Sequence, residues 1–196
     1  YTKAELQALS RVCRQKGLYL FLDGARLSSA LTSSVNDLTM ADIASFTDLF
    51  YIGGTKAGAL MGEALVIVNP SLKEDFRYMI KQRGAMMAKG WLLGIQFETL
   101  FQDDLYFQLA SHANAMADIL RQGIGDLGFS FYSDSQTNQI FPIFSDRLIE
   151  RLSQSYVFSI QERYDDSHSV IRLVTSWATK EEECHGFVNA LKALCP

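Results

Sequence analysis

The chain has 196 residues, of which 48% are hydrophobic and 20% charged, and its formal net charge is −4. This length and composition fit one large or two small globular domains with a substantial hydrophobic core. The acidic charge and the lack of a basic, aromatic-rich stretch argue against nucleic acid as a partner, and no apolar run approaches the roughly 20 residues of a membrane-spanning helix.

Three cysteines, Cys13, Cys184 and Cys195, are spread along the chain. Their odd number and wide spacing fit neither a disulfide framework nor a cysteine metal site, and the three histidines show no metal-ligand spacing. We therefore expect reduced thiols, no metal and a cytoplasmic location. The first residues also lack the continuous apolar segment of a signal peptide.

The first third of the chain alternates between helix and strand patterns. A capping box of Thr2 and Glu5 predicts an amphipathic helix through about Lys16, ended by Gly17. The apolar run LYLFLD then predicts a strand buried on both faces of a parallel sheet, MADIASF a helix, and DLFYIGG a second strand. Short alternation of this kind indicates a layered α/β domain.

The middle of the chain is predominantly helical. A strand, ALVIVN, and a helix with a capping box of Ser71 and Glu74 come first. The stretches GWLLGIQFETLF and LYFQLASHANAMADILRQGIGDLG then predict two long, mostly buried helices, with a break at 102–104.

The last third predicts a compact α+β unit. Strands are expected at FSFY, TNQIFPIF, YVFSIQ and VIRLVTSW, with one helix from Asp146. A capping box of Thr179 and Glu182 begins a terminal helix. We expect two domains, residues 1–110 and 111–196, of which the second is the smaller α+β unit.

Asp23 and Lys56 each stand just past the carboxyl end of a predicted strand, where open α/β sheets bind ligands. Taken singly, Asp23 is as typical of a helix cap, and Lys56 of a solvated lysine in a glycine-rich turn. A phosphate-binding loop would need the pattern GxxxxGK[ST], which is absent.

Taken together, the two residues match the needs of pyridoxal 5'-phosphate. A lysine amine forms a Schiff base with the cofactor's aldehyde, and an aspartate holds its pyridine nitrogen protonated so that the ring accepts electrons. The glycines around Lys56 would let the backbone and the cofactor approach closely.

Three segments in order, FLDGARL, FYIGGTKAGALMGEALVI and VIRLVTSWAT, resemble the low-specificity threonine aldolases of the β-eliminating lyase family, which are fold-type I pyridoxal-phosphate enzymes. The resemblance runs from Tyr1 to Pro196 with similar spacing. It implies an α/β fold: the C-terminal part of a fold-type I large domain, followed by a small α+β domain.

The resemblance also implies a role for individual residues. Lys56 matches the lysine that carries the cofactor, Asp23 the partner of the pyridine nitrogen, and Arg26 the arginine near the ring's phenolic oxygen. Arg172 matches the arginine that binds the substrate's α-carboxylate, for which a guanidinium fork is well suited. The alternative for Arg172 is an exposed strand residue.

The chain departs from the family in two places. The stretch RGAMMAKGW replaces a Gly-Gly-Gly-Met-Arg-Gln segment whose arginine helps to bind the cofactor phosphate; Ala88 aligns with that arginine, so Lys89 or Arg83 is expected to substitute. The family's N-terminal part, with its phosphate cradle and ring-stacking histidine, is also absent. We expect strands that lack neighbours and expose apolar faces.

The resemblance predicts an enzyme that cleaves β-hydroxy-α-amino acids of the threonine or allo-threonine type to glycine and an aldehyde. Its partner would be a small amino-acid substrate, and a homodimer or homotetramer is implied. Two alternatives stay open: a β-eliminating amino-acid lyase with the same cofactor, and a non-catalytic fragment whose apolar helices serve only assembly.

Overall fold

The structure, a computed structural model, describes residues 1–195. Contacts divide the chain into two compact units, Tyr1–Gln108 and Leu109–Pro196. The helices are α1 Lys3–Gln15, α2 Leu27–Leu31, α3 Met40–Phe46, α4 Phe76–Gln82, α5 Trp91–Phe101, α6 Leu105–Asp126, α7 Asp146–Leu152 and α8 Glu181–Leu194. The strands are β1 Phe21–Leu22, β2 Leu49–Gly53, β3 Glu63–Ile67, β4 Gln139–Ile140, β5 Ile143–Ser145, β6 Ser159–Arg163 and β7 His168–Val174.

The first unit is built on a sheet of order β1-β2-β3. β1 and β2 are parallel, with Leu22 opposite Phe50, and the chain passes between them through α2 and α3. β3 returns antiparallel to β2. β2 is the central strand, and its residues Phe50 and Ile52 are buried on one face of the sheet.

The prediction of a doubly buried strand over LYLFLD is wrong. Only two of its residues form β1, and Leu18, Tyr19 and Phe21 are 59%, 60% and 52% exposed. β1 is the edge strand, hydrogen-bonded to β2 alone within the described residues. A strand without a second neighbour keeps its outer residues in solvent.

The three predicted capping boxes have different outcomes. Thr2 caps α1 and exchanges hydrogen bonds with Glu5, as predicted. The box at Ser71 is wrong, because the Asn69 side chain accepts from the Ser71 amide and a 3-10 turn begins at Pro70. α4 starts only after Asp75, which has a left-handed backbone.

The terminal helix begins one residue later than predicted. Lys180 is its N-cap, and the Glu183 carboxylate accepts from the Lys180 amide at 3.3 Å. The hydroxyl of Thr179 instead accepts a hydrogen bond from the Ser176 amide. The box assigned to Thr179 and Glu182 is therefore wrong.

The break between the two long helices is confirmed. Gln102–Asp104 form a 3-10 turn in which Asp103 has a φ of 50°. The expectation that both helices are mostly buried is wrong for α5, where Trp91 is 63% exposed and only Leu100 is buried. In the described chain, no helix combines the length and apolarity needed to cross a bilayer.

The second unit is an α+β unit, in which β7 pairs antiparallel with β4, β5 and β6. The predicted strand FSFY contributes only an isolated bridge between Phe131 and Pro142. Side chains from α6, α7, α8 and the sheet form one continuous core, with Phe144 and Ile171 fully buried.

Candidate active site

Asp23 and Lys56 lie at the same edge of the first unit's sheet. Asp23 directly follows β1, and Lys56 lies three residues beyond the end of β2. Because β1 and β2 are parallel, their carboxyl ends point the same way, and the loops that leave them are neighbours.

Glycines hold these two loops together. The Gly53 amide donates to the Gly24 carbonyl at 2.9 Å. A Cβ on Gly24 would lie 1.7 Å from the Tyr51 carbonyl oxygen, and one on Gly53 would lie 2.4 Å from the Ala25 carbonyl oxygen. At these two positions the glycines make room for neighbouring backbone. The sequence interpretation had expected the glycines around Lys56, Gly53 among them, to let the backbone and the cofactor approach closely.

Lys56 lies in a short 3-10 turn, Thr55–Ala57, and its side chain is exposed. The turn is fixed at its start, since the Glu63 carboxylate accepts from the Gly54 amide at 2.8 Å. It ends at Gly58, whose φ of 103° favours glycine. The lysine is thus carried by a defined turn.

Tyr51 is a member of the site that the sequence interpretation missed. Its hydroxyl donates a hydrogen bond to Oδ1 of Asp23, which also accepts from the Ala25 amide at 3.0 Å. The bond from Tyr51 is the largest cause lowering the pKa of Asp23, followed by the Ala25 amide, and the charge of Lys56 lowers it further. The same bond raises the pKa of Tyr51 to about 12.

Two further predicted cofactor-binding residues, Arg26 and Lys89, also lie in the first unit, but only Arg26 is near Asp23 in the chain. Arg26 belongs to the loop that follows Asp23, and it is half-buried directly before α2. Lys89 is exposed in the turn before α5, and its side chain has no hydrogen bond or ion pair with any residue that the structure describes. The structure thus groups Asp23, Arg26 and Lys56 but does not join Lys89 to them.

Arg172 belongs to the second unit. It is half-buried on β7 and helps to line an open cavity of about 610 Å³, together with Tyr156, Phe158 and Glu183. Its Nε is buried and has no hydrogen-bond partner within residues 1–195. A buried N–H without a partner costs free energy, so an anionic ligand would satisfy this guanidinium.

These residues suit pyridoxal phosphate. Both hydrogen bonds to Asp23 fall on Oδ1, so Oδ2 can accept from a ring nitrogen. A lowered carboxyl pKa keeps that oxygen charged, and the exposed amine of Lys56 is close enough for its charge to act on Asp23. The donor set therefore provides a ring partner and an amine at one edge of one sheet.

Comparisons with known proteins point to one family. The family model described as beta-eliminating lyase matches residues 1–147. A low specificity L-threonine aldolase of Pseudomonas aeruginosa is 36% identical over 156 residues, which are 78% of this chain and 44% of that protein. A second, from a Pseudomonas species, is 30% identical over 202 residues, which are 99% of this chain and 56% of that protein.

A solved structure is also similar. The threonine aldolase of Leishmania major matches 99% of this chain and 57% of its own, at 55% identity and a TM-score of 0.97. This match confirms the predicted fold class, an α/β fold of fold type I with a small α+β part. The chain spans about half the length of the curated relatives and of this structure.

Proposed function

Because the chain belongs to the beta-eliminating lyase family, we propose that the whole protein is a pyridoxal-phosphate aldolase. It cleaves β-hydroxy-α-amino acids of the L-threonine or allo-threonine type to glycine and an aldehyde. In this proposal residues 1–110 complete the cofactor-binding domain and residues 111–196 form the small domain. The adjacency of Asp23 and Lys56 at the ends of parallel strands carries the proposal.

Each residue has one physical task in this proposal. When bound, pyridoxal phosphate supplies an aldehyde that bonds to an amine and a ring that accepts the electrons of a breaking bond. Lys56 provides the amine, and Asp23 holds a proton on the ring nitrogen. Arg26 places a positive charge near the phenolic oxygen, and Lys89 contributes to binding the phosphate.

Arg172 recognises the α-carboxylate of the amino-acid substrate. Its planar fork can donate two parallel hydrogen bonds to a carboxylate, which limits the orientations that the substrate adopts. The unpartnered, buried Nε supports this role, because a carboxylate would satisfy it.

A second activity, β-elimination on another amino acid, is favoured by the description of the matching family. It uses the same lysine, so the residues around Lys56 do not distinguish it from aldol cleavage. The products do: an aldolase releases glycine and an aldehyde, whereas a β-eliminating lyase releases ammonia and a keto acid.

The test uses the whole protein that carries this chain. We expect an absorption band typical of a lysine Schiff base, and borohydride reduction followed by peptide mapping should label Lys56. Lys56→Ala should abolish both the label and turnover. Lys73→Ala, an exposed lysine in the same unit, is the matched control and should leave both unchanged. A label on another lysine would end the assignment of Lys56, whereas the lack of a band would favour a non-catalytic role.

The remaining properties concern assembly and location. We propose a homodimer or homotetramer, because the first unit exposes large apolar side chains such as Trp91 and Leu60. Scattering at micromolar concentration should show this assembly, and a stable monomer would contradict it. The free thiols of Cys13 and Cys184 support a cytoplasmic location, and we propose neither nucleic acid nor membrane as a partner.

A further inference from the structure

The hydrogen bond from Tyr51 to Asp23 has no role in the proposed reaction as described so far. Tyr51 is a residue of β2, whereas Asp23 follows β1, so the bond joins the two strands that lead to the candidate site. The parallel pairing places Phe21 opposite Leu49 and Leu22 opposite Phe50. Continued by one step, this register brings position 23 beside position 51.

The surroundings of Tyr51 keep its ring in place. Its backbone carbonyl lies against Gly24, where a Cβ would approach it to 1.7 Å. Its ring lies 6.0 Å from that of Phe21, centroid to centroid. The hydroxyl is therefore presented to Asp23 by a strand that is packed against the Asp23 loop.

A phenol is a much weaker acid than a carboxyl group, so the Tyr51 hydroxyl donates and the Asp23 carboxylate accepts. The pKa of Tyr51 is raised to about 12, first by the bond to Asp23 and further by the charges of Asp23 and Glu63. The pKa of Asp23 is lowered by the same bond. The bond therefore keeps the phenol in its protonated, donating form.

We propose that Tyr51 is a positioning residue for Asp23: it occupies Oδ1 and thereby directs Oδ2 to the ring nitrogen of the cofactor. The inference rests on the proposed function. A carboxylate that already accepts a hydrogen bond is a weaker base, so the proton between Oδ2 and the ring stays on the nitrogen. Tyr51 thus acts on the ring through Asp23.

The experiment compares the whole protein with its Tyr51→Phe variant, which removes one oxygen and keeps the ring. The apoproteins are titrated with pyridoxal phosphate, and the loaded proteins are studied by NMR with cofactor labelled with ¹⁵N in the ring. We expect binding to weaken about three- to tenfold, as for a lost hydrogen bond. The nitrogen resonance should move towards that of unprotonated pyridine.

Two controls separate positioning from general damage. Tyr78→Phe makes the same chemical change at a 75% exposed position and should match the wild type in both measurements. In an Asp23→Asn background, Tyr51→Phe should produce no further shift, since the residue through which it acts is gone.

The outcomes are distinguishable. If the wild type binds no pyridoxal phosphate at Lys56, the proposed function fails and this inference with it. If the wild type binds it but Tyr51→Phe leaves the affinity and the nitrogen resonance unchanged, the inference alone is overturned. An equal loss with and without the Asp23 carboxylate would also overturn it, because Tyr51 would then be structural. If Asp23→Asn binds pyridoxal phosphate too weakly to titrate, the nitrogen resonance of the Tyr51→Phe variant, compared with that of the wild type, still decides for or against the inference.

Discussion

The two units bury their apolar side chains to different degrees. The second unit is the shorter, yet most of the buried hydrophobic side chains of the described chain belong to it, and they form one continuous core. Most of the exposed large hydrophobic side chains belong to the first unit, among them Tyr19, Phe21, Leu60 and Trp91. The unit that carries Asp23 and Lys56 is thus the less completely covered one.

This difference separates stability from chemistry. The second unit has the packing of an independent folding unit, since its helices and its sheet enclose one core. The first unit places the candidate site residues at the end of a sheet whose edge strand is two residues long. The proposed site requires only two adjacent strand ends, whereas the stability of a folded unit requires that apolar surface is removed from water.

Removing one aromatic side chain from each unit should sharpen this contrast most. Phe144 is fully buried and packs edge-on against Phe129 at 4.7 Å between ring centroids. Phe144→Ala should lower the free energy of unfolding of the second unit by about 3–5 kcal/mol. Phe21→Ala, at a half-exposed position, should cost the first unit less than about 1 kcal/mol.

Hydrogen exchange as a function of urea measures both values, because it reports each unit separately. The amides of β5 and β7 report the second unit, and those of β2 the first. An equally large loss for Phe21→Ala would break the contrast. It would mean that the outer face of β1 is covered in solution.

The sequence alone predicted the strands that carry the candidate site, but it did not predict the side-chain contacts within that site. The alternation of helix and strand predicted β1 and β2, and hence Asp23 and Lys56 at neighbouring strand ends. Tyr51 escaped notice because its contact depends on the register of β1 on β2, which only the folded sheet defines.

Two other features were predicted wrongly, one because burial depends on tertiary structure and the other because neighbouring residues change the local backbone. The apolar run LYLFLD has the composition of a central strand, but its burial depends on neighbours that its own residues do not specify. The Ser71 box has the right residue spacing, yet Asn69 and Pro70 redirect the backbone into a 3-10 turn.

Substitutions at Arg172 should show that the second unit contributes to substrate binding and not to cofactor binding. Arg172→Ala should raise the Michaelis constant by roughly two orders of magnitude, corresponding to ~2–3 kcal/mol for a lost charge-assisted contact. The absorption spectrum of the bound cofactor should stay normal. Arg172→Lys should recover part of the loss, because an ammonium supplies charge without the fork.

Asp23→Asn is the matched variant in the first unit. It should change the spectrum and weaken cofactor binding, since the ring nitrogen loses its charged partner. If Arg172→Ala altered the spectrum as Asp23→Asn does, the division of labour between the units would be wrong. Unchanged kinetics in both Arg172 variants would reduce Arg172 to a strand residue.

The smallest expected effect concerns two carboxylates near the surface, one in each unit, whose pKa values are both lowered to about 2. Asp42 owes this first to its hydrogen bond with Lys3, which lies 2.7 Å away and ties α1 to α3. Asp165 owes it first to the Ser167 amide, in the turn between β6 and β7, and then to His168, the first residue of β7. The Asp42 carboxylate therefore connects two helices, whereas the Asp165 carboxylate bonds only to residues close to it in the sequence.

Because both folded pKa values lie below the unfolded value of about 3.9, each carboxylate stabilises its unit above that pH and stops doing so as the pH falls through about 2. At pH 5, Asp42→Asn should accelerate hydrogen exchange in both α1 and α3, and the difference from the wild type should shrink as the pH approaches 2. Asp165→Asn should affect only the β6–β7 turn, because its partners lie within three residues of it. Exposure and salt screening keep both effects small. If Asp42→Asn left α1 unchanged, the link between the two helices would be a surface contact without energetic consequence, and α1 would be held by its buried face and by its other hydrogen bonds, such as that from the Arg14 guanidinium to the Ser45 carbonyl.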